Sequence, residues 1–263
     1  MILKQFSLAG KVAVVVGGTS GIGRALSLGL SDAGADVLAT SRNKDKVADT
    51  TNLIQGAGRR TFPFCTDATD EKQVEELCRA AVDYYGKVDI LVNAAGINIR
   101  GSLSDLSYTD WRNVLKANLD SVFLCSKYFS RQMMANRSGK IINIGSLNSV
   151  VAMSNLSAYA ASKGGVVQLT KAMAVELSKY QINVNAILPG YFKTEMTEGL
   201  MNDPELLARI QTRTPMGRIG HVDELVGTAV FLSSQAASFI TGTTIAVDGG
   251  FLSFGVDLAH SET

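Results

Sequence analysis

Tyr159 and Lys163 stand four residues apart, and Ser146 lies thirteen residues before Tyr159. On a helix, positions i and i+4 share one face, so a phenol and an ammonium would sit side by side. Tyrosine titrates near pH 10 in water, too high for a base at neutral pH, and a neighbouring cation favours the phenolate. Bringing the phenol down to about 7 takes roughly 4 kcal/mol, within reach of a lysine acting with a second, ligand-borne positive charge. Tyr-x3-Lys is a common spacing, and on its own it marks an exposed helix face. Its meaning depends on where the chain places it.

Other chemistries are poorly supplied. The histidines are His221 and His260, too few for a His-rich metal site or a Ser-His-Asp triad. Cys65, Cys78 and Cys125 share no short spacing, so neither zinc nor a disulfide framework is expected, and a reduced cytoplasm is the simplest home. The 263 residues carry 25 basic and 24 acidic side chains, a net charge of +1, which argues against nucleic acid or an anionic membrane as partner. No apolar run approaches the roughly 20 residues that cross a bilayer, and the N-terminus lacks a signal-peptide core.

The positioning elements come from the hydrophobic pattern. Val12–Val16, Asp36–Thr40, Thr61–Cys65, Ile90–Asn93, Lys140–Ile144, Asn183–Leu188 and Thr244–Val247 read as strands, several of them apolar throughout, as in sheets covered on both faces. Ile22–Ala33, Lys44–Ile54, Glu71–Tyr85, Tyr108–Met134, Tyr159–Lys179 and Val222–Ser233 have helical periodicity. This alternation predicts a single α/β domain over residues 1–263, a Rossmann fold with a doubly wound, seven-stranded parallel sheet flanked by helices. Pro189–Pro215 is a long connection starting where such sheets bind ligands, and residues 190–215 are expected to cover a substrate.

Val12–Val16 runs directly into Gly17-Gly18-Thr19-Ser20-Gly21-Ile22-Gly23 and then a helix. Glycines there permit a tight turn and close approach to a pyrophosphate, which the helix N-terminus attracts. Between the first strand and first helix of such a chain, the turn points to a dinucleotide. A ribose 2′-OH usually meets an acid after the second strand. Here that strand ends in Ser41-Arg42-Asn43, and Arg42 with the Ser41 hydroxyl suits a 2′-phosphate. NADP(H) is the expected cofactor, with NAD(H) as the alternative.

With these motifs placed, the chain resembles the short-chain dehydrogenase/reductase family over essentially its whole length. The match runs through Gly17–Gly23, Asp67, Asn93-Ala94-Ala95-Gly96, Asn118, Ser146, Tyr159-x3-Lys163, Pro189-Gly190, Thr194 and Asp248-Gly249-Gly250. The resemblance implies that Tyr159 exchanges a proton with the substrate oxygen while Ser146 polarises it. Lys163 would lower the Tyr159 pKa and hold the nicotinamide ribose, and Asn118 would hold a water leading from Lys163 to solvent. Asp67 and Ala68 would meet the adenine, Asn93 would line the cleft, and Ile187, Gly190, Phe192 and Thr194 would border the nicotinamide. The reaction implied is hydride transfer between nicotinamide and a carbonyl or secondary alcohol. Two departures are Val16, where the family commonly has threonine, and Ser20, where many NADP-using members carry a basic residue.

Position after the strands nominates Asn98, Arg100, Asn148, Met153, Tyr191 and Phe192 for a small-molecule substrate. Asn98, Arg100 and Asn148 are polar, which suits a hydroxylated or anionic compound, and Arg100 either grips a carboxylate bidentately or faces a subunit or solvent. The run Arg213–Arg218 with Val222–Gly227 is similar to gluconate 5-dehydrogenases and ketogluconate reductases, which favours a sugar acid. The alternative is a 3-oxoacyl-thioester reductase docking an acidic carrier protein on Lys127, Arg131 and Arg137. A catalytically silent NADP sensor is the non-enzymatic alternative. By resemblance, a homotetramer is expected, with the Tyr159 helix and C-terminal strand in its contacts and Phe251–Thr263 reaching a neighbour.

Overall fold

A parallel sheet holds the computed structural model together, and the structure describes residues 2–255. Its strands are β1 (Val12–Val16), β2 (Asp36–Thr40), β3 (Ile90–Asn93), β4 (Gly139–Ile144), β5 (Ile182–Pro189) and β6 (Thr244–Val247). They run side by side in the order β2-β1-β3-β4-β5-β6. All five β1 residues are buried because helices cover both faces, which is why the strand is apolar without alternation. Val12, Val14 and Val16 face one core with Leu77 and Phe129, while Ala13 and Val15 face the other with Leu26 and Leu225.

The described residues form six strands rather than the seven expected. Thr61–Cys65 runs extended past β2 without joining the sheet as a strand. Pro63 lacks the N–H that a ladder requires. The segment is tied on by side-chain and terminal bonds instead, from Thr40 Oγ1 to the Phe64 carbonyl at 2.7 Å and from the Thr66 N–H to the Ser41 carbonyl at 3.0 Å.

The flanking helices are α1 (Gly21–Asp32), α2 (Lys44–Gly56), α3 (Glu71–Tyr85), α4 (Tyr108–Leu115), α5 (Ser121–Asn136) and α6 (Ser157–Leu177). After β5 come α7 (Glu198–Met201), α8 (Pro204–Arg213) and α9 (Val226–Ser233). Local capping explains several starts. Asn43 accepts from the Lys46 N–H ahead of α2, Asp70 accepts from two N–H groups of α3, and Asp203 caps α8, where Pro204 occupies the first turn. The expected single helix over Tyr108–Met134 is interrupted by a π turn at Lys116–Asp120, which separates α4 from α5. The long connection after β5 is ordered as a 3-10 turn at Glu195–Thr197 followed by α7 and α8. Residues 256–263, part of the C-terminal segment expected at a subunit contact, lie outside the described residues.

Candidate active site

At the carboxyl end of the sheet the chain moves outward from β1 to β2 and returns to β3 on the other side of β1. A crevice is forced open at that reversal. The cleft there has a volume of about 700 Å³. Its floor is the turn after β1. Gly17 adopts φ +76°, and a Cβ on it would lie 2.6 Å from the Ala95 amide nitrogen. A Cβ on Gly23 would overlap the Gly17 carbonyl oxygen. Ser27 fastens the turn by donating to the Gly18 and Gly23 carbonyls at 2.9 and 3.0 Å. The N-terminus of α1 therefore faces the cleft with no side-chain cap from Ser20, the condition under which its N–H groups remain available to an anion.

Ser20, Gly21, Ile22, Ser41 and Arg42 line one end of the cleft, with Asp67 and Ala68 beside them. Ser41 is oriented by the Thr19 hydroxyl, which donates to it at 2.7 Å. Arg42 has no carboxylate partner among the described residues. These groups fit a phosphorylated adenosine: a glycine cradle without side chains, a helix end and a free guanidinium.

Ser146, Tyr159 and Lys163 line the other end with Pro189 and Gly190, and Thr194 stands against Gly21, where a Cβ would lie 3.4 Å from its Cγ2. Ser146 follows β4, whereas Tyr159 and Lys163 share the inward face of α6. Lys163 is almost fully buried, and its Nζ donates to the Ile144 carbonyl at 2.7 Å. It lies 5.8 Å from the centroid of the Tyr159 ring. Burial brings its pKa down to about 8. Tyr159 is half-buried as a residue and its phenol is surrounded by protein atoms, which pushes its pKa above the usual value, while a hydrogen bond with Ser146 pulls the other way.

Several nominated residues stand one layer back. Asn118, placed by the π turn, is fully buried. It accepts from the Ile97 N–H at 2.7 Å and donates to the Ile97 carbonyl and the Ser162 hydroxyl, each at 3.0 Å. Asn93 donates to Asn143 and Ser126 inside the sheet layer, and Thr19 and Asn43 serve the local turn and cap, so these three do not line the cleft. Ala94, Ala95 and Gly96 do line it. Asn148, Met153 and Tyr191 form a separate group behind Ser146: the Tyr191 hydroxyl donates to Met153 Sδ at 3.1 Å, and Asn148 Nδ2 lies 3.8 Å from the same sulfur. Burial pushes the Tyr191 phenol above its usual value, while the nearby Arg100 charge pulls it the other way. Asn98, Arg100, Asn148 and Tyr191 lie outside the cleft lining, and Phe192 lies within it. The sequence reading missed Asn113 on α4 and Lys116 at the start of the π turn, both on the lining.

The segment after β5 contributes to the cleft lining. Glu195, Met196 and Thr197 line it, and the Glu195 carboxylate accepts two bonds from Lys46 Nζ at 2.8 and 2.7 Å, joining this strap to α2.

A glycine turn and a Ser-Tyr-Lys group lining one crevice belong to nucleotide-dependent oxidoreductases. Residues 16–252 match the family model described as Enoyl-(Acyl carrier protein) reductase, and the chain belongs to the short-chain dehydrogenase/reductase family. It is 40% identical over 245 residues to gluconate 5-dehydrogenase of Gluconobacter oxydans, covering 93% of this chain and 96% of that protein. It is 41% identical over 253 residues to 2-dehydro-3-deoxy-D-gluconate 5-dehydrogenase of Escherichia coli, covering 96% and 99%. A solved structure of gluconate 5-dehydrogenase from Burkholderia cenocepacia in complex with NADP and tartrate superposes with a TM-score of 0.94 at 38% identity, covering 97% of this chain and all of that one.

Proposed function

We propose that this protein is an NADP-dependent oxidoreductase interconverting a carbonyl and a secondary alcohol on a sugar acid. The observation that carries this reading is the single cleft with Arg42 at one end and the Ser146–Tyr159–Lys163 group at the other. The α1 N-terminus would receive the pyrophosphate, Ser41 and Arg42 the 2′-phosphate, Asp67 and Ala68 the adenine, and Gly190 and Thr194 the carboxamide side of the nicotinamide. When bound, the nicotinamide supplies or accepts the hydride.

The chain's own residues manage the substrate oxygen. With its pKa raised by burial, the Tyr159 phenol is protonated at neutral pH and donates a proton to a carbonyl oxygen that Ser146 polarises. Lys163, fixed to the Ile144 carbonyl, holds the ribose and presents positive charge beneath the phenol as the proton leaves. Asn118 braces the Ile97 backbone and Ser162 behind them. Arg100, Asn148 and Tyr191 give a polar wall beyond Ser146 for a hydroxylated carboxylate. The strap over residues 190–215 covers the bound pair.

The thioester reading is weaker. Lys127 is already ion-paired to Glu71 at 2.6 Å, and Arg137 is held by the Lys179 carbonyl, so two of its three cations are engaged. The same reading places the protein in the cytoplasm, where Cys65, Cys78 and Cys125 stay reduced, as a homotetramer. Val175 on α6 and Phe239 ahead of the edge strand β6 supply exposed apolar surface for its contacts. Among the described residues no helix is long and apolar enough to cross a membrane.

The test is oxidation of NADPH and NADH by purified protein offered 5-ketogluconate or an acetoacetyl thioester, with Tyr159→Phe as blank. Ketogluconate turnover with NADPH, lost in Tyr159→Phe, is expected. Thioester turnover alone would overturn the substrate class.

A further inference from the structure

Ser149 lies outside the cleft lining, in the 3-10 turn Leu147–Ser149 that follows Ser146. Its Oγ makes two bonds of opposite sense: it accepts from the Ser146 N–H at 3.2 Å and donates to the Lys163 carbonyl at 2.9 Å. The first partner belongs to the loop leaving β4. The second belongs to α6, fourteen residues away in sequence. Lys163 is thereby tied to the exit of β4 at both ends, through its backbone carbonyl to Ser149 and through Nζ to the Ile144 carbonyl at 2.7 Å. Gly145 leaves room for this clamp. A Cβ there would strike Leu188 and come within 3.1 Å of the Ser149 hydroxyl.

Two separate elements must agree for the reaction proposed above. Ser146 rides on the β4 loop, while Tyr159 and Lys163 ride on α6, and a hydrogen bond from the phenol to Ser146 tolerates only a few tenths of an ångström of drift. Among the described residues, the side chain of Ser149 joins the loop's backbone at Ser146 to the helix's backbone at Lys163. We propose that Ser149 is a positioning residue whose clamp between the Ser146 N–H and the Lys163 carbonyl holds the Ser146 hydroxyl in reach of the Tyr159 phenol. This rests on the oxidoreductase reading of the same cleft.

Two readouts test it, one of which needs no substrate. In Ser149→Ala, kcat for the preferred substrate falls about tenfold, while the dissociation constant for NADPH, followed by its fluorescence, changes less than twofold. The titration of the Tyr159 phenol, isolated as the absorbance difference between each protein and its Tyr159→Phe counterpart, moves to higher pH because the Ser146 hydrogen bond is weakened. Ser149→Thr, which keeps the hydroxyl, restores both. An unchanged phenol titration in Ser149→Ala overturns the proposal, whether kcat is intact or falls together with the thermal midpoint as for a merely structural serine. If the wild-type protein turns over neither sugar acid nor thioester, the functional reading fails, while the titration still decides the role of Ser149.

Discussion

Replacing Lys163 by methionine tests the electrostatics of the site through stability. Burial lowers the lysine from 10.5 to about 8, so at neutral pH the folded protein holds an ammonium that water would solvate better. The unfolded chain binds this proton below about pH 10.5 and the folded chain only below about 8. The cost is therefore complete below pH 8, fades as pH rises, and is gone above 10.5. A displacement of this size corresponds to about 3 kcal/mol, most of it recovered between pH 7 and pH 10. Methionine fills similar space without charge and leaves the Ile144 carbonyl without its 2.7 Å bond, a penalty of roughly 1–3 kcal/mol that does not depend on pH. Urea unfolding of both proteins at fixed concentration, at pH 7, 8, 9 and 10, isolates the difference, because every other titrating group is shared. Wild type should gain roughly 2 kcal/mol on Lys163→Met across that range, while turnover in the variant is abolished. Parallel curves would refute the reasoning, since they would mean that the lysine is solvated in the folded state.

Arg42→Ala should weaken NADPH binding about 10- to 100-fold through loss of charged hydrogen bonds and leave NADH within twofold, measured by fluorescence titration of each nucleotide. Because Tyr159 is protonated at neutral pH, the rate of reduction should fall as pH climbs through the phenol's titration and the rate of oxidation should rise, as read from kcat profiles in the two directions. Cys65 is exposed, whereas burial pushes Cys78 up to about 11 and Cys125 to about 12. A thiol reagent at pH 7.5 should label one cysteine per native chain and three in urea, counted by mass spectrometry.

Much of this architecture could be read from the chain because local and global preferences agree. Strands such as Val12–Val16 are apolar on both faces, and the glycines after them occupy positions where a Cβ would meet backbone. Thr61–Cys65 looked equally strand-like, but one missing N–H at Pro63 kept it out of the sheet. Ser146, Tyr159 and Lys163, nominated from order and spacing, line one cleft. The layer behind them was less legible, because a polar residue after a strand has two fates that sequence does not separate. Asn93 turns into the sheet layer toward Asn143 and Ser126, while Arg42 stays free for a ligand. Asn118 was nominated for the constellation, and its contact with Ile97 depends on a π turn that carries no composition signal.

That π turn is a dislocation within what would otherwise be one straight rod from Tyr108 to Asn136. Each residue of an α-helix advances the side chains by about 100°, so the wider turn at Lys116–Asp120 gives α4 and α5 independent phases. Val114 on the first half and Val122, Cys125, Phe129 and Met133 on the second all reach buried positions, and at 100° per residue they would share one face even on an unbroken helix. A π turn holds one residue more than an α turn, so deleting one residue between Lys116 and Asp120 would let the rod close as a regular α-helix with the buried stripe of α5 still facing the core. Asn118 would then lose the turn that sets it against Ile97 and Ser162. Length in this stretch is thus tied to the position of Asn118 rather than to the burial of α5, and a single-residue deletion there would act first on that contact.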